Sequence, residues 1–87
     1  MNFTEGDFSL VTEGPKGKRK IIGTQLTVRP DQPPETYNIY LPVTSWNPLP
    51  TSLLSVGITY PVQIHRHRDQ TISLIKLEDS PLTFVKV

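Results

Sequence analysis

Nine prolines and no alanine occur in 87 residues. That pairing constrains the fold more than any other feature. Proline in a helix interior removes a hydrogen bond and clashes with the preceding turn. Alanine is the strongest helix former. A chain with prolines throughout and no alanine has little room for long helices. Its apolar residues are largely Val, Ile, Leu, Phe and Tyr, and Thr is abundant. Such residues suit pleated, half-buried surfaces. The expectation is an all-β domain.

The alternation of apolar and polar residues locates the strands. A first strand is expected over residues 7–13, with Phe8 and Leu10 on one face. A second covers 20–29, where Ile22, Thr24, Leu26 and Val28 make the more apolar face. Gly23 within it signals a bulge or sharp bend. Residues 29–35 form a loop because three prolines there end any ladder. A third strand, 36–41, places Tyr37, Ile39 and Leu41 opposite Asn38 and Tyr40. Residues 42–55 form the longest connection, broken by Pro48 and Pro50, with one helical turn expected over 51–55 from a Thr or Ser cap. A fourth strand covers 57–68, and Pro61 within it requires an edge or a bulge. After a tight turn at Asp69-Gln70 come a fifth strand, 71–77, a turn at 78–81, and a last short strand, 82–87. Residues 1–6 are a flexible lead-in to a single domain. Five or six short, bent strands suit a small, partly open barrel of the oligonucleotide-binding (OB) type. An SH3-like barrel or a small sandwich has a similar composition.

Charge is placed unevenly. The net charge is only +1, yet six of the nine Lys and Arg residues fall in residues 16–20 and 66–68. The first block is Gly14-Pro15-Lys16-Gly17-Lys18-Arg19-Lys20. Its Gly and Pro residues carry turn chemistry. Flanked by alternating strands, it reads as a protruding β-hairpin with a basic tip. Lys or Arg residues that neutralise phosphates release condensed counterions, so such a tip is a natural phosphate clamp. A solvated loop tip is the plain alternative.

The second block is His65-Arg66-His67-Arg68. On a strand, the two His project to one side and the two Arg to the other. Two His ligands do not complete a metal site, and the arginines oppose a cation. Phosphate contact by Arg66 and Arg68 stands against a solvated strand end that blunts pairing. Tyr37, Tyr40 and Trp46 are the aromatics to weigh for base stacking. Tyr37 and Tyr40 point to opposite faces, so one at most meets a ligand, and packing is the favoured role for Trp46. Phe3, Phe8, Tyr60 and Phe84 are expected in the core or against a partner.

No catalytic constellation stands out. The chain has two His and no Cys. It lacks a nucleophile elbow, a paired-carboxylate signature and a P-loop. The expectation is a non-enzyme without cofactors or metal. No apolar run approaches the length that spans a membrane. No signal peptide is visible at residues 1–7, and a chain without Cys needs no oxidising compartment, so the cytoplasm is the expected location.

The order of features over residues 11–87 resembles the single-stranded-DNA-binding proteins of filamentous phages, the gene V protein family. The resemblance rests on Gly17-Lys18 in the hairpin, then Gln25-Leu26, then Glu35-Thr36-Tyr37-Asn38-Ile39. Asn47-Pro48-Leu49-Pro50 and Gly57-Ile58-Thr59-Tyr60-Pro61-Val62 follow, with a closing hairpin and a short apolar strand. The signal lies in order and spacing.

The resemblance implies a five-stranded OB-like barrel that forms a homodimer and coats single-stranded DNA, or RNA, cooperatively during replication in the host cytoplasm. It assigns nucleic-acid binding to the wing residues Lys16, Lys18, Arg19 and Lys20 and to Tyr37, with Arg66 and Arg68 in the late hairpin. Where the family carries an aromatic after its Gly-Lys and another shortly after its Gln-Leu, this chain has Arg19 and Val28. Phosphate contact is therefore implied more strongly than stacking. Arg planes also stack on bases. A protein-interaction or assembly module built on an SH3-like barrel is the alternative.

Overall fold

A computed structural model describes residues 3–30 and 35–87. Seven strands form one antiparallel sheet: β1 (Phe3–Glu13), β2 (Lys20–Arg29), β3 (Tyr37–Leu41), β4 (Trp46–Asn47), β5 (Tyr60–Arg66), β6 (Ile72–Leu77) and β7 (Thr83–Lys86). Their order across the sheet is β3-β2-β1-β5-β6-β7-β4. The sheet curls into a half-barrel without an α-helix among the described residues. The all-β expectation holds, but the strands number seven, not five. The outline measures 41 × 27 × 23 Å.

Alternation fills the concave face. Phe8 and Leu10 of β1 meet Leu26 and Val28 of β2, Val62 and Ile64 of β5, Ile75 and Leu77 of β6, and Phe84 of β7. These residues repeat at every second position because strand side chains alternate between faces. Trp46 and Leu54, from the long connection, close over them. The Trp46 ring meets Phe8 edge-on, with centroids 5.4 Å apart.

Four local expectations need correction. Residues 3–6 are not a loose lead-in. They extend β1, where Phe3 lies opposite His65 and Gly6 opposite both Val28 and Val62. Gly6 fits there because an added Cβ would overlap the Thr27 carbonyl and the Ile64 side chain. Ile22 does not share the buried face. A bulge leaves it unpaired between Thr12↔Ile21 and Val11↔Gly23. The phase of β2 flips there, so Ile21 packs on the core while Ile22 is exposed. Position 23 suits this bend because the Tyr40 ring covers it and Tyr40 donates a hydrogen bond to the Ile22 carbonyl at 2.8 Å.

Pro61 lies on neither an edge strand nor a bulge. Strand β5 is central and begins one residue earlier, at Tyr60. The Pro61 carbonyl accepts from Glu78 N–H at 3.1 Å, beyond the β5–β6 ladder that starts at Val62↔Leu77. A strand residue's N–H and C=O point to the same side, so Pro61 turns its missing donor toward Glu78 past the end of the β5–β6 ladder, where only the acceptor half of the pair is made. The expected helical turn over 51–55 is instead a 3₁₀ turn at Pro50–Ser52, entered through Pro50 and without a side-chain cap.

Candidate nucleic-acid interface

The basic hairpin joins β1 to β2. Residues 13–20 are all exposed. Gly14 and Gly17 adopt φ values of 121° and 86°, which L side chains rarely accept. Lys18 N–H donates to the Pro15 carbonyl at 2.9 Å and closes the turn. The four cations do not behave alike. Arg19 folds back on its own hairpin: Nε donates to Thr12 Oγ1 at 2.9 Å, Nη2 to the Thr12 carbonyl at 3.3 Å, and Nη1 to the Gly14 carbonyl at 3.4 Å. Its fork braces the turn. Lys16, Lys18 and Lys20 extend into solvent, and no hydrogen bond or ion pair holds their side chains among the described residues.

The second group lies at the other end of β1. Arg66 closes β5 in phase with Val62 and Ile64, so it projects onto the concave face. Tyr37 opens β3 in phase with the half-buried Ile39 and Leu41. The curl of the sheet brings the two together, with Arg66 Cζ 5.8 Å from the centre of the Tyr37 ring. That is within cation–π range. They line an open cleft of about 630 Å³ with Pro30, Glu35, Thr36, Ile39 and Gln70. Arg66 Nε is buried and lacks a hydrogen-bond partner among the described residues.

Arg68 does not join this cleft. It is exposed in the β5–β6 turn, where His67 N–H donates to the Thr71 carbonyl at 2.9 Å and Gln70 adopts φ 73°. The Asp69 carboxylate accepts from Thr71 Oγ1 at 2.6 Å and from Thr71 N–H at 3.1 Å. Those two bonds, the hydroxyl first, hold the exposed Asp69 carboxyl below its ordinary value.

The predicted residues therefore form two sets, with Arg68 in neither. In register, Tyr37 lies opposite Val28 and Val28 opposite Gly6, whereas the hairpin departs at Glu13. Seven residues of strand separate the two levels along β1, about 23 Å at roughly 3.3 Å per residue. Some seven nucleotides cover that span at the ~3.4 Å rise of a stacked strand. Single-strand sites on OB folds occupy about 4–16 nucleotides.

The other aromatics are committed elsewhere. Trp46 is buried, and its indole N–H donates to Thr24 Oγ1 at 3.0 Å. Thr24 in turn donates to the Leu41 carbonyl at 2.9 Å. Tyr40 lies on the outer face over Gly23, and the Tyr60 hydroxyl accepts from Ser55 N–H at 2.8 Å. Phe8 and Phe84 are core, while Phe3 is 47% exposed beside His65.

The His65 and His67 rings lie 5.0 Å apart, and His65 Nδ1 is 3.0 Å from Ser73 Oγ. No group of three or more His, Asp or Glu side chains gathers among the described residues. No helix among them is long and apolar enough to cross a membrane. Sequence reasoning missed Glu35 and Gln70 as cleft residues. The signal for the cleft itself was the shared phase of Val62, Ile64 and Arg66. Comparison with known protein families, with curated proteins and with solved structures yields no match.

Proposed function

We propose that this protein binds single-stranded nucleic acid, DNA in the first place, without strong sequence preference, and that its half-barrel is OB-like. The observation that carries the reading is the hairpin tip. Three lysines with no side-chain partner among the described residues stand on an exposed hairpin end that Arg19 braces. Cations not engaged by an ion pair are suited to a phosphate backbone, and phosphate contacts carry no base information. The Tyr37 ring and Arg66 supply a second contact, some seven nucleotides away. The long β1, paired with both β2 and β5, supports the OB-like assignment. On the gene V resemblance, the working form is a homodimer that coats phage strands during replication.

Competition tests this directly. A labelled dT thirty-mer is bound at low salt and challenged with unlabelled dT, RNA and duplex DNA. Displacement by single strands at far lower concentration than by duplex supports the reading. No binding of dT at low salt refutes it. One observation favours a second reading, a protein-interaction module. Leu49, Leu53, Val56 and Ile58 are each about half exposed along the connection to β5. Clustered apolar exposure marks partner surfaces. Pull-down of a protein partner by a chain that ignores oligonucleotides supports that reading.

A further inference from the structure

We propose that the Arg66–Tyr37 cleft accepts one guanine base, which gives an otherwise unselective strand binder a preferred position. The inference rests on the single-strand reading above and deepens it.

The lining has the wrong composition for a simple phosphate seat. A phosphate seat is built from cations and neutral donors and is opposed by a carboxylate, yet here Arg66 shares the lining with Glu35 as well as with Gln70, Tyr37, Pro30 and Ile39. A lining that mixes flat and apolar side chains with both donors and an acceptor matches a nucleobase. The arrangement of donors, together with ring size, favours one base. The Arg fork pairs with two adjacent acceptors, and guanine presents O6 and N7 on one edge. Guanine also carries N–H donors on its neighbouring edge, and a carboxylate accepts from them. Adenine presents a donor beside N7, which faces the fork with the wrong polarity. Thymine offers the fork no adjacent acceptor pair, and cytosine, which offers O2 and N3, has a single ring that covers less of the Tyr37 face than a purine does.

Arg66 is poised for such a partner. The Tyr37 ring, 5.8 Å from Cζ, orients the guanidinium, and no carboxylate pairs with it among the described residues. Its Nε–H is buried and lacks an acceptor among the described residues. A buried donor without an acceptor bears its full desolvation penalty, so a shift of Arg66 that brings this donor to a ligand acceptor is favoured. The cleft, about 630 Å³, is large enough for a base with its sugar.

Two measurements on the whole protein test this. The first compares a fifteen-nucleotide dT strand with the same strand carrying one central dG. The dG strand binds about ten-fold more tightly, the discrimination expected of one bidentate pair. In Arg66→Lys, which keeps the charge but not the fork, the ratio of the two affinities falls to about one. The second follows the Arg66 Nε–Hε NMR signal of the unaltered protein, which shifts on adding dGMP but not dTMP. Equal binding of the two strands, with dT bound, overturns the cleft assignment and leaves strand binding intact. A larger gain from a central dC or dA also overturns it. If neither strand binds while dGMP shifts Arg66, the cleft stands as a mononucleotide site and the strand reading fails. If neither strand binds and dGMP shifts nothing, both are refuted.

Discussion

Replacing Lys16, Lys18 and Lys20 together with Ala isolates the electrostatic part of the proposed mechanism. All three side chains lie in the exposed stretch 13–20, so the substitutions remove no buried contact. On single strands each neutralised phosphate contributes about −0.7 to the slope of log K against log salt. Three lysines contribute about −2. Between about 50 and about 200 mM salt, that part of the slope is worth roughly sixteen-fold in affinity. Fluorescence anisotropy of a labelled dT strand at several salt concentrations reads both the affinity and the slope. The triple variant is expected to bind weakly and to lose about 2 from its slope. Arg19→Ala is the informative control. The Arg19 guanidinium is turned onto Thr12 and Gly14, so its removal loosens the turn and changes the slope by less than about 0.5. A triple variant with an unaltered slope, or an Arg19→Ala slope as flat as the triple's, would refute the division of labour at the tip.

Three further outcomes follow from the packing. Thr24→Val keeps the side-chain shape but removes the acceptor of the buried Trp46 indole N–H, so urea denaturation should find it about 2 kcal/mol less stable, whereas Thr24→Ser should lose about 1 kcal/mol or less. Gly6→Ala drives a methyl into the Thr27 carbonyl and Ile64, so stability should fall by about 1–3 kcal/mol, and an unchanged midpoint would remove Gly6 from the tight β1–β2–β5 crossing. The Asp69 carboxyl is depressed from 3.8, chiefly by the Thr71 hydroxyl. Its contribution is present above the unfolded value and lost as pH falls through the folded one. An NMR titration should therefore give a midpoint below 3.8, and Thr71→Ala should raise it.

Much of the sheet was legible because β-strand burial has a period of two. Leu26 and Val28, Val62 and Ile64, and Phe8 and Leu10 all declare the concave face in the sequence. Phase errors arise where one residue is added. The bulge at Ile22 turns the outer end of β2 over, and an apolar residue alone does not reveal it. Strand β4 escaped notice because two residues carry no alternation, and it exists through pairing with Lys86 and Val85 far along the chain. Residues 3–6 look like a loose start because Glu5 and Gly6 are poor strand formers. Their place is fixed by neighbours on both sides. The candidate site divides in the same way. The exposed lysines are a local property of a Gly- and Pro-bearing turn. The inward fold of Arg19 depends on its cross-strand position relative to Thr12. The meeting of Arg66 with Tyr37 depends on sheet curvature, which no local pattern encodes.

The central claim is that a single strand meets this chain at the basic tip and at the Tyr37–Arg66 end. Mapping a dT dodecamer onto the backbone amides by NMR chemical-shift perturbation tests it most directly. The account predicts shifts concentrated at 15–20 and around Tyr37 and Arg66, with little change at the buried Trp46. Shifts confined to the apolar connection 49–58, or an unchanged spectrum at low salt, would contradict it.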